Sequence, residues 1–182
     1  LIDGETVELG HRKWTVFVGG GHSPAAATLY DADGGLILSG DQVLPDISPF
    51  VGVDDFDPDG DSVGDYLKYL ARMQTLPEDA IVLPGHGQPF ANMPKRARAL
   101  QNIHIDRLER ALAASKEPIS AMDILPFLFR GDTAGHMRPL FTVIAVAHLN
   151  YLWRRGVMER TRRDDGVLLY RSDASAKDVP AA

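Results

Sequence analysis

With 182 residues, 45% of them hydrophobic, the chain holds enough apolar mass for one ordinary domain, or a moderate domain and a small appendage, which excludes a disordered polymer. It has no cysteine, so disulfides, thiolate metal sites and a cysteine nucleophile are excluded; any metal must use His and carboxylate donors, and a cytoplasmic setting is expected. The formal charge of -6 is unevenly spread, with 7 Lys+Arg against 15 Asp+Glu in residues 1–100 and 12 against 10 in 101–182, so the two parts are expected to differ in job.

Residues 1–41 read as four short strands, LIDGETVELG, WTVFVG, ATLYD and LILSGD, set between Gly and Asp turns. The opening at Leu1, within a strand-like segment and not at a Met, leads us to expect a fragment or a cleaved product. A Pro- and Asp-rich loop over 42–61 is too long for a plain connection and is expected to border a site. Asp61 or Ser62 caps a predicted helix in which Val63, Tyr66, Leu67, Leu70 and Met73 recur at helical spacing. IVLP at 81–84 is a short strand that ends in GHGQPF, and strand, helix and strand in that order predict a layered α/β arrangement.

From Pro94 to Lys116 a charged helix carries Leu100, Ile103, Leu108 and Leu112, and Pro118 follows its end. Beyond it two helical stretches and a strand pair around DDG follow the order of a winged-helix module. The tail SDASAKDVPAA, which starts at Ser172, has no packing pattern, so we expect boundaries at 1–115, 116–174 and a disordered 175–182.

Three polar residues follow predicted strands directly, each beside glycine: His22 in GGGHSP, Asp41 in LSGD and His86 in LPGHG. Taken singly, a GH dipeptide is a turn and an Asp after a strand is a cap. Taken together, two imidazoles and a carboxylate at strand ends are a donor set for zinc, with iron and manganese as alternatives.

The stretches GGGHSPAAATLY, LILSGDQVLPDISP and IVLPGHGQPF resemble, in order, three metal-binding motifs of the metallo-β-lactamase superfamily. The resemblance covers about residues 1–115. It implies an α/β fold, the C-terminal half of a metallo-β-lactamase αβ/βα sandwich, followed here by the winged-helix-like module. It also implies that His22 binds a first metal, Asp41 bridges two, and His86 binds the second. The implied activity is binuclear hydrolysis of a thioester, lactone or phosphodiester, in which a metal-acidified water attacks a polarised centre.

Two departures from the family pattern bear on this. Ala26 stands where many relatives have a second histidine, and the HxHxDH motif that supplies three further histidines and an aspartate appears nowhere. We expect that motif upstream of Leu1, in a half of the fold the chain lacks, and hence an incomplete site, weak metal binding and no activity in this chain alone. The sheet face that would meet that half, supplied by Val16, Val18, Leu29, Leu36, Leu38 and Ile81, is expected to drive homodimerisation.

Of the remaining histidines, His104 reads as an exposed helix residue, His148 as a core residue among apolar neighbours, His11 as a solvated turn residue, and His136 is given no role. Trp153, Arg154, Arg155, Arg160, Arg162 and Arg163 form a basic stretch interspersed with Glu159, Asp164 and Asp165. A nucleic-acid-binding or protein-interaction module therefore stands as the alternative to a hydrolase.

Overall fold

Strand direction positions everything in the first part of the chain. In the computed structural model, which describes residues 1–131 and 133–180, β1 (Thr6–Leu9), β2 (Arg12–Gly19), β3 (Ala26–Asp31) and β4 (Leu36–Gly40) form an antiparallel meander. After α1 (Ser62–Met73) the chain returns as β5 (Ile81–Pro84), parallel to β4, and β6 (Phe90–Ala91) closes the six-stranded sheet in sequential order. Since β3 is antiparallel to both of its neighbours, β2, β4 and β5 all run the same way. Their C-terminal ends therefore share one edge of the sheet.

The chain divides into two compact units, Leu1–Phe50 with Asp65–Asn102, and Val51–Gly64 with Ile103–Ala182. The division falls inside α2 (Met93–Ala114), whereas the sequence places a boundary just past the end of that helix. It also splits the 42–61 loop after Phe50.

In the first unit α1 lies on the sheet face that carries Phe17 and Thr28. Thr28 shares a 2.6 Å hydrogen bond with the Tyr69 hydroxyl, and the Arg72 guanidinium sits 5.2 Å over the Phe17 ring. Val63, Tyr66, Leu67, Leu70 and Met73 are all buried, as their helical spacing predicts. The opposite face follows from the register: Val16, Leu29, Leu38 and Leu83 make one row, with Leu36 and Ile81 beside it. Val16 is fully buried, but Val18, Leu29, Leu36, Leu38 and Leu83 are only partly covered and Ile81 is 42% exposed.

The second unit is built on a three-stranded antiparallel sheet in the order β7 (Ile119–Ser120), β9 (Leu168–Arg171), β8 (Glu159–Arg162). With it go the short α3 (Leu125–Leu128), α4 (Arg138–Arg154) and the second part of α2. Leu108, Leu112, Ile124, Leu149, Leu152 and Tyr170 form its core. Segment 51–64 is fastened here by polar contacts. Arg155 grips both oxygens of Asp61 at 3.1 and 2.9 Å, and Arg160 grips Asp59 at 2.6 and 3.3 Å while stacking 3.4 Å over Trp153. Arg154 donates to the Asp59 carbonyl and Asn150 to that of Pro58. Asp61 also accepts from the Gly64 amide, so it is the cap of α1.

In the tail, Ser175 bonds Asp178 and the Tyr151 hydroxyl donates to the Pro180 carbonyl at 2.8 Å, contacts that a search for packing patterns does not reveal. Ala181 and Ala182, which complete the expected disordered tail, lie outside the described residues.

Because the Arg155–Asp61 pair is about 20% exposed on both sides and doubly hydrogen-bonded, its removal should cost more than that of a surface pair. Arg155→Ala is expected to lower stability by about 1–3 kcal/mol in denaturant unfolding. It should also speed chymotrypsin cleavage after Phe56, which is 98% exposed in the fastened segment. Arg163→Ala, which removes an exposed pair with Asp165, should do neither. Equal effects of the two variants would mean that the fastening contributes nothing particular.

Candidate metal centre

The common edge of β2, β4 and β5 receives the three residues that the sequence singles out, each one to three positions past its strand. Asp41 lies between the two histidines. Its Oδ1 accepts a 2.7 Å hydrogen bond from His86 Nδ1, and its Oδ2 stands 3.9 Å from His22 Nε2. The backbone brings Asp41 and His86 together: the Gly85 amide donates to the Gly40 carbonyl at 2.8 Å, continuing the parallel pairing of β4 and β5. A Cβ at position 85 would fall 2.5 Å from Asp41 Oδ1, which is why glycine precedes the histidine.

The loop carrying His22 is held by Gln42, which the sequence reading did not single out, and by Tyr66, which it placed only on the buried stripe of the helix. The Gln42 side chain accepts from the His22 amide at 3.0 Å and donates to the carbonyls of Gly19 and Gly20. Tyr66 in turn donates from its hydroxyl to the Gln42 carbonyl at 2.8 Å; burial pushes that phenol up, so it remains a protonated donor. Gly21 has φ +142°, and a Cβ there would lie 2.3 Å from the Tyr66 ring. The sequence carries no local signal for Gln42, whose burial at 1% exposure appears only in the folded chain.

The tautomer of His22 follows from its neighbour. Its Nδ1 lies 3.2 Å from the Phe50 carbonyl, which can only accept, so the proton of a neutral ring sits on Nδ1. Nε2 then presents a lone pair toward the carboxylate of Asp41. With the ring neutral, two electron-pair donors face one another across 3.9 Å, an arrangement that a cation or a proton relieves. The donors fit a metal that favours nitrogen and oxygen in kind but not in number. Among the described residues no group of three or more His, Asp or Glu side chains is arranged to hold a metal ion.

Comparison with known proteins fits this geometry. Residues 1–86 match the family model of the metallo-beta-lactamase superfamily, and residues 108–173 match that of the metallo-beta-lactamase-like C-terminal domain. The chain belongs to the metallo-β-lactamase superfamily. Among solved structures, it is similar to a beta-lactamase domain protein from Burkholderia ambifaria, with 39% identity over 94% of this chain and 51% of that one and a TM-score of 0.89. It is also similar to a metallo-beta-lactamase family protein from Thermus thermophilus, with 29% identity over 94% of this chain and 53% of that one and a TM-score of 0.80. This superfamily member thus spans about half the length of both. A stereoselective inverting sec-alkylsulfatase from Pseudomonas sp. shares the fold alone, at 11% identity over 84% of this chain and 26% of that one with a TM-score of 0.57. No curated protein matches the chain.

The other histidines of this metallo-β-lactamase relative lie elsewhere. His11 is exposed in a turn at φ 62°, and His136 is exposed in a short 3-10 turn. His104 is not the exposed residue its charged helix predicts: it and His148 are both fully buried, stacked with centroids 5.1 Å apart. His148 Nδ1 donates to the Ile144 carbonyl at 2.7 Å, so its Nε2 accepts, and His104 Nδ1 donates to it at 3.0 Å. The reason was present in the spacing, because Ala97, Leu100, His104, Leu108 and Ala111 make one continuous buried stripe.

Burial, with the nearby Arg107 charge, pushes His148 down to about 3, and burial with the His148 neighbour holds His104 well below its usual range. Above pH 6.5 folded and unfolded chains carry both rings neutral, and stability is flat with respect to them. Below that pH the unfolded chain binds protons that the folded one refuses, so stability falls as the solution is acidified. Between pH 7 and pH 5 the expected loss is about 2–4 kcal/mol for the pair. Denaturant unfolding at the two pH values measures it, and His148→Gln should remove roughly half of the loss.

Proposed function

We propose that the chain is the C-terminal portion of a binuclear metal-dependent hydrolase of ester-type bonds, acting on a small thioester, lactone or phosphodiester substrate. His22, Asp41 and His86 are its share of the metal ligands. The observation behind this is the pair His22 Nε2 and Asp41 Oδ2, 3.9 Å apart at one sheet edge: with the neutral ring's proton on Nδ1, both atoms would be free to hold a metal ion. Two zinc ions are the metals we favour for a complete site; iron and manganese accept the same donors. When bound, they supply Lewis acidity and an acidified water.

The residues of this chain orient the site. Phe50 fixes the tautomer of His22, Gln42 and Tyr66 fix its loop, and Gly85 admits Asp41 beside His86. With Asp41 shared and one histidine on each side, two cations would receive two protein ligands each, short of the three usual at catalytic zinc. We therefore infer that the chain alone is inactive and that the upstream half of the same fold supplies the rest. That half, or a second copy in a homodimer, would cover the partly exposed face of Leu29, Leu36, Leu38 and Ile81.

A winged-helix reading of the second unit draws on its helices followed by the β8–β9 hairpin. The nucleic-acid alternative has less behind it, because Arg155, Arg160 and Arg163 are each bound to a carboxylate of the chain itself. Among the described residues no helix is long and apolar enough to cross a membrane.

Elemental analysis after dialysis against zinc should find less than one tightly held ion per chain, and His22→Ala or Asp41→Ala should abolish what is held. No hydrolysis of thioester or phosphodiester substrates is expected. Two tightly held ions per chain would contradict the incomplete site, and metal binding unaffected by either variant would remove these residues from it. Light scattering coupled to size exclusion should show a dimer; a species of 19.9 kDa at all concentrations would exclude self-association.

A further inference from the structure

The second unit contains a cavity of about 470 Å³ with an unusual charge on its wall. Arg107, Arg110 and Arg130 line it together with one acid, Asp106, beside Phe129 and Phe141. Arg110 is already neutralised: it is bound to both carboxylate oxygens of Asp106 and donates to the Leu128 carbonyl at 3.3 Å. Arg107 is different. It is mostly buried, its guanidinium lies 5.0 Å over the Phe129 ring, and among the described residues no carboxylate forms an ion pair with it. Phe129 packs against Phe141 with centroids 4.8 Å apart, so the wall continues as an aromatic surface from the cation.

A mostly buried cation without a counterion is costly, and among the described residues no carboxylate pairs with it to lower that cost. Its charge also bears on the buried imidazoles of His104 and His148, which it disfavours from protonating. What would relieve the strain is an anion entering from the cavity. The volume lies within the range of small-molecule sites, and the lining combines a few directed polar groups with apolar walls, as such sites do.

We propose that this cavity is a binding site for an organic monocarboxylate with an apolar, preferably aromatic, body. The carboxylate pairs with Arg107, whose planar fork matches two oxygens at once, and the body packs on Phe129 and Phe141. One uncommitted guanidinium inside and the exposed Arg130 suit a single negative charge better than the several donors a phosphate dianion recruits.

The test uses the full chain and 2-naphthoate, titrated by calorimetry, with the neutral isostere 2-naphthamide and inorganic phosphate as comparisons. Saturable one-to-one binding of 2-naphthoate is expected, with both comparisons at least tenfold weaker. Arg107→Met should weaken 2-naphthoate at least tenfold while raising the melting temperature of the unliganded protein, because it removes an unpaired buried charge. Should that variant fold poorly, amide shift mapping on the unaltered protein decides the matter, with perturbations expected at 103–110, 128–130 and 141. Failure of 2-naphthoate to saturate, equal binding of the amide, undiminished binding to a folded Arg107→Met, or shifts confined to other segments would each overturn the proposal.

Discussion

The parallel pairing of β4 with β5 is the constraint on which the candidate centre depends. Two adjacent strands can run in parallel only if the chain crosses back over the sheet between them, and here the crossover consists of the 42–61 segment and α1. The reward is that Gly40 and Gly85 meet at the same edge, joined by a backbone hydrogen bond, and the next residue of each strand carries a side chain able to bind a metal. An antiparallel hairpin would have placed Asp41 and His86 at opposite ends. The third donor obeys the same rule at one remove, since β3 turns the chain twice and leaves β2 pointing with β4.

Much of this was legible in the sequence because the signals were local and strongly periodic. IVLP at 81–84 coincides with β5, and the buried stripe of α1 contains the five residues its spacing names. What was not legible came from contacts between residues distant in the chain. Gln42 looks like an ordinary polar residue in a loop, and only the folded chain brings its amide within reach of Gly19, Gly20 and His22. The two-residue β6 starts on the last residue of the GHGQPF turn motif and is too short to show any periodicity. His104 was misread for another reason: the charge of its helix outweighed a stripe of small and apolar residues on either side of it.

The polar interior of the second unit carries two arrangements of opposite character. In the histidine pair each ring finds an acceptor or a donor, and the chain of hydrogen bonds ends on the Ile144 carbonyl. Neutral, the pair is joined by these two hydrogen bonds; charged, it would be isolated from water. Arg107 is the reverse, a group that stays charged across the physiological range, with an aromatic face beside it and, among the described residues, no carboxylate paired with it. Burial lowers its proton affinity too, but a guanidinium starts so high that it stays ionised. Neutralising the residue is therefore not an available escape, and only a ligand or a substitution removes the cost.

The uneven charge along the chain also finds a physical explanation. A basic second part beside an acidic first part reads, in a linear sequence, as two modules with different partners. In the folded chain Asp59 and Asp61, counted with the acidic part, belong to the same unit as Arg154, Arg155 and Arg160, counted with the basic one. Their charges meet in paired contacts that fasten segment 51–64. That segment begins one residue after Phe50, whose carbonyl sets the tautomer of His22. The basic stretch thus spends much of its charge inside the molecule, on the stretch of chain that leads directly away from the candidate centre.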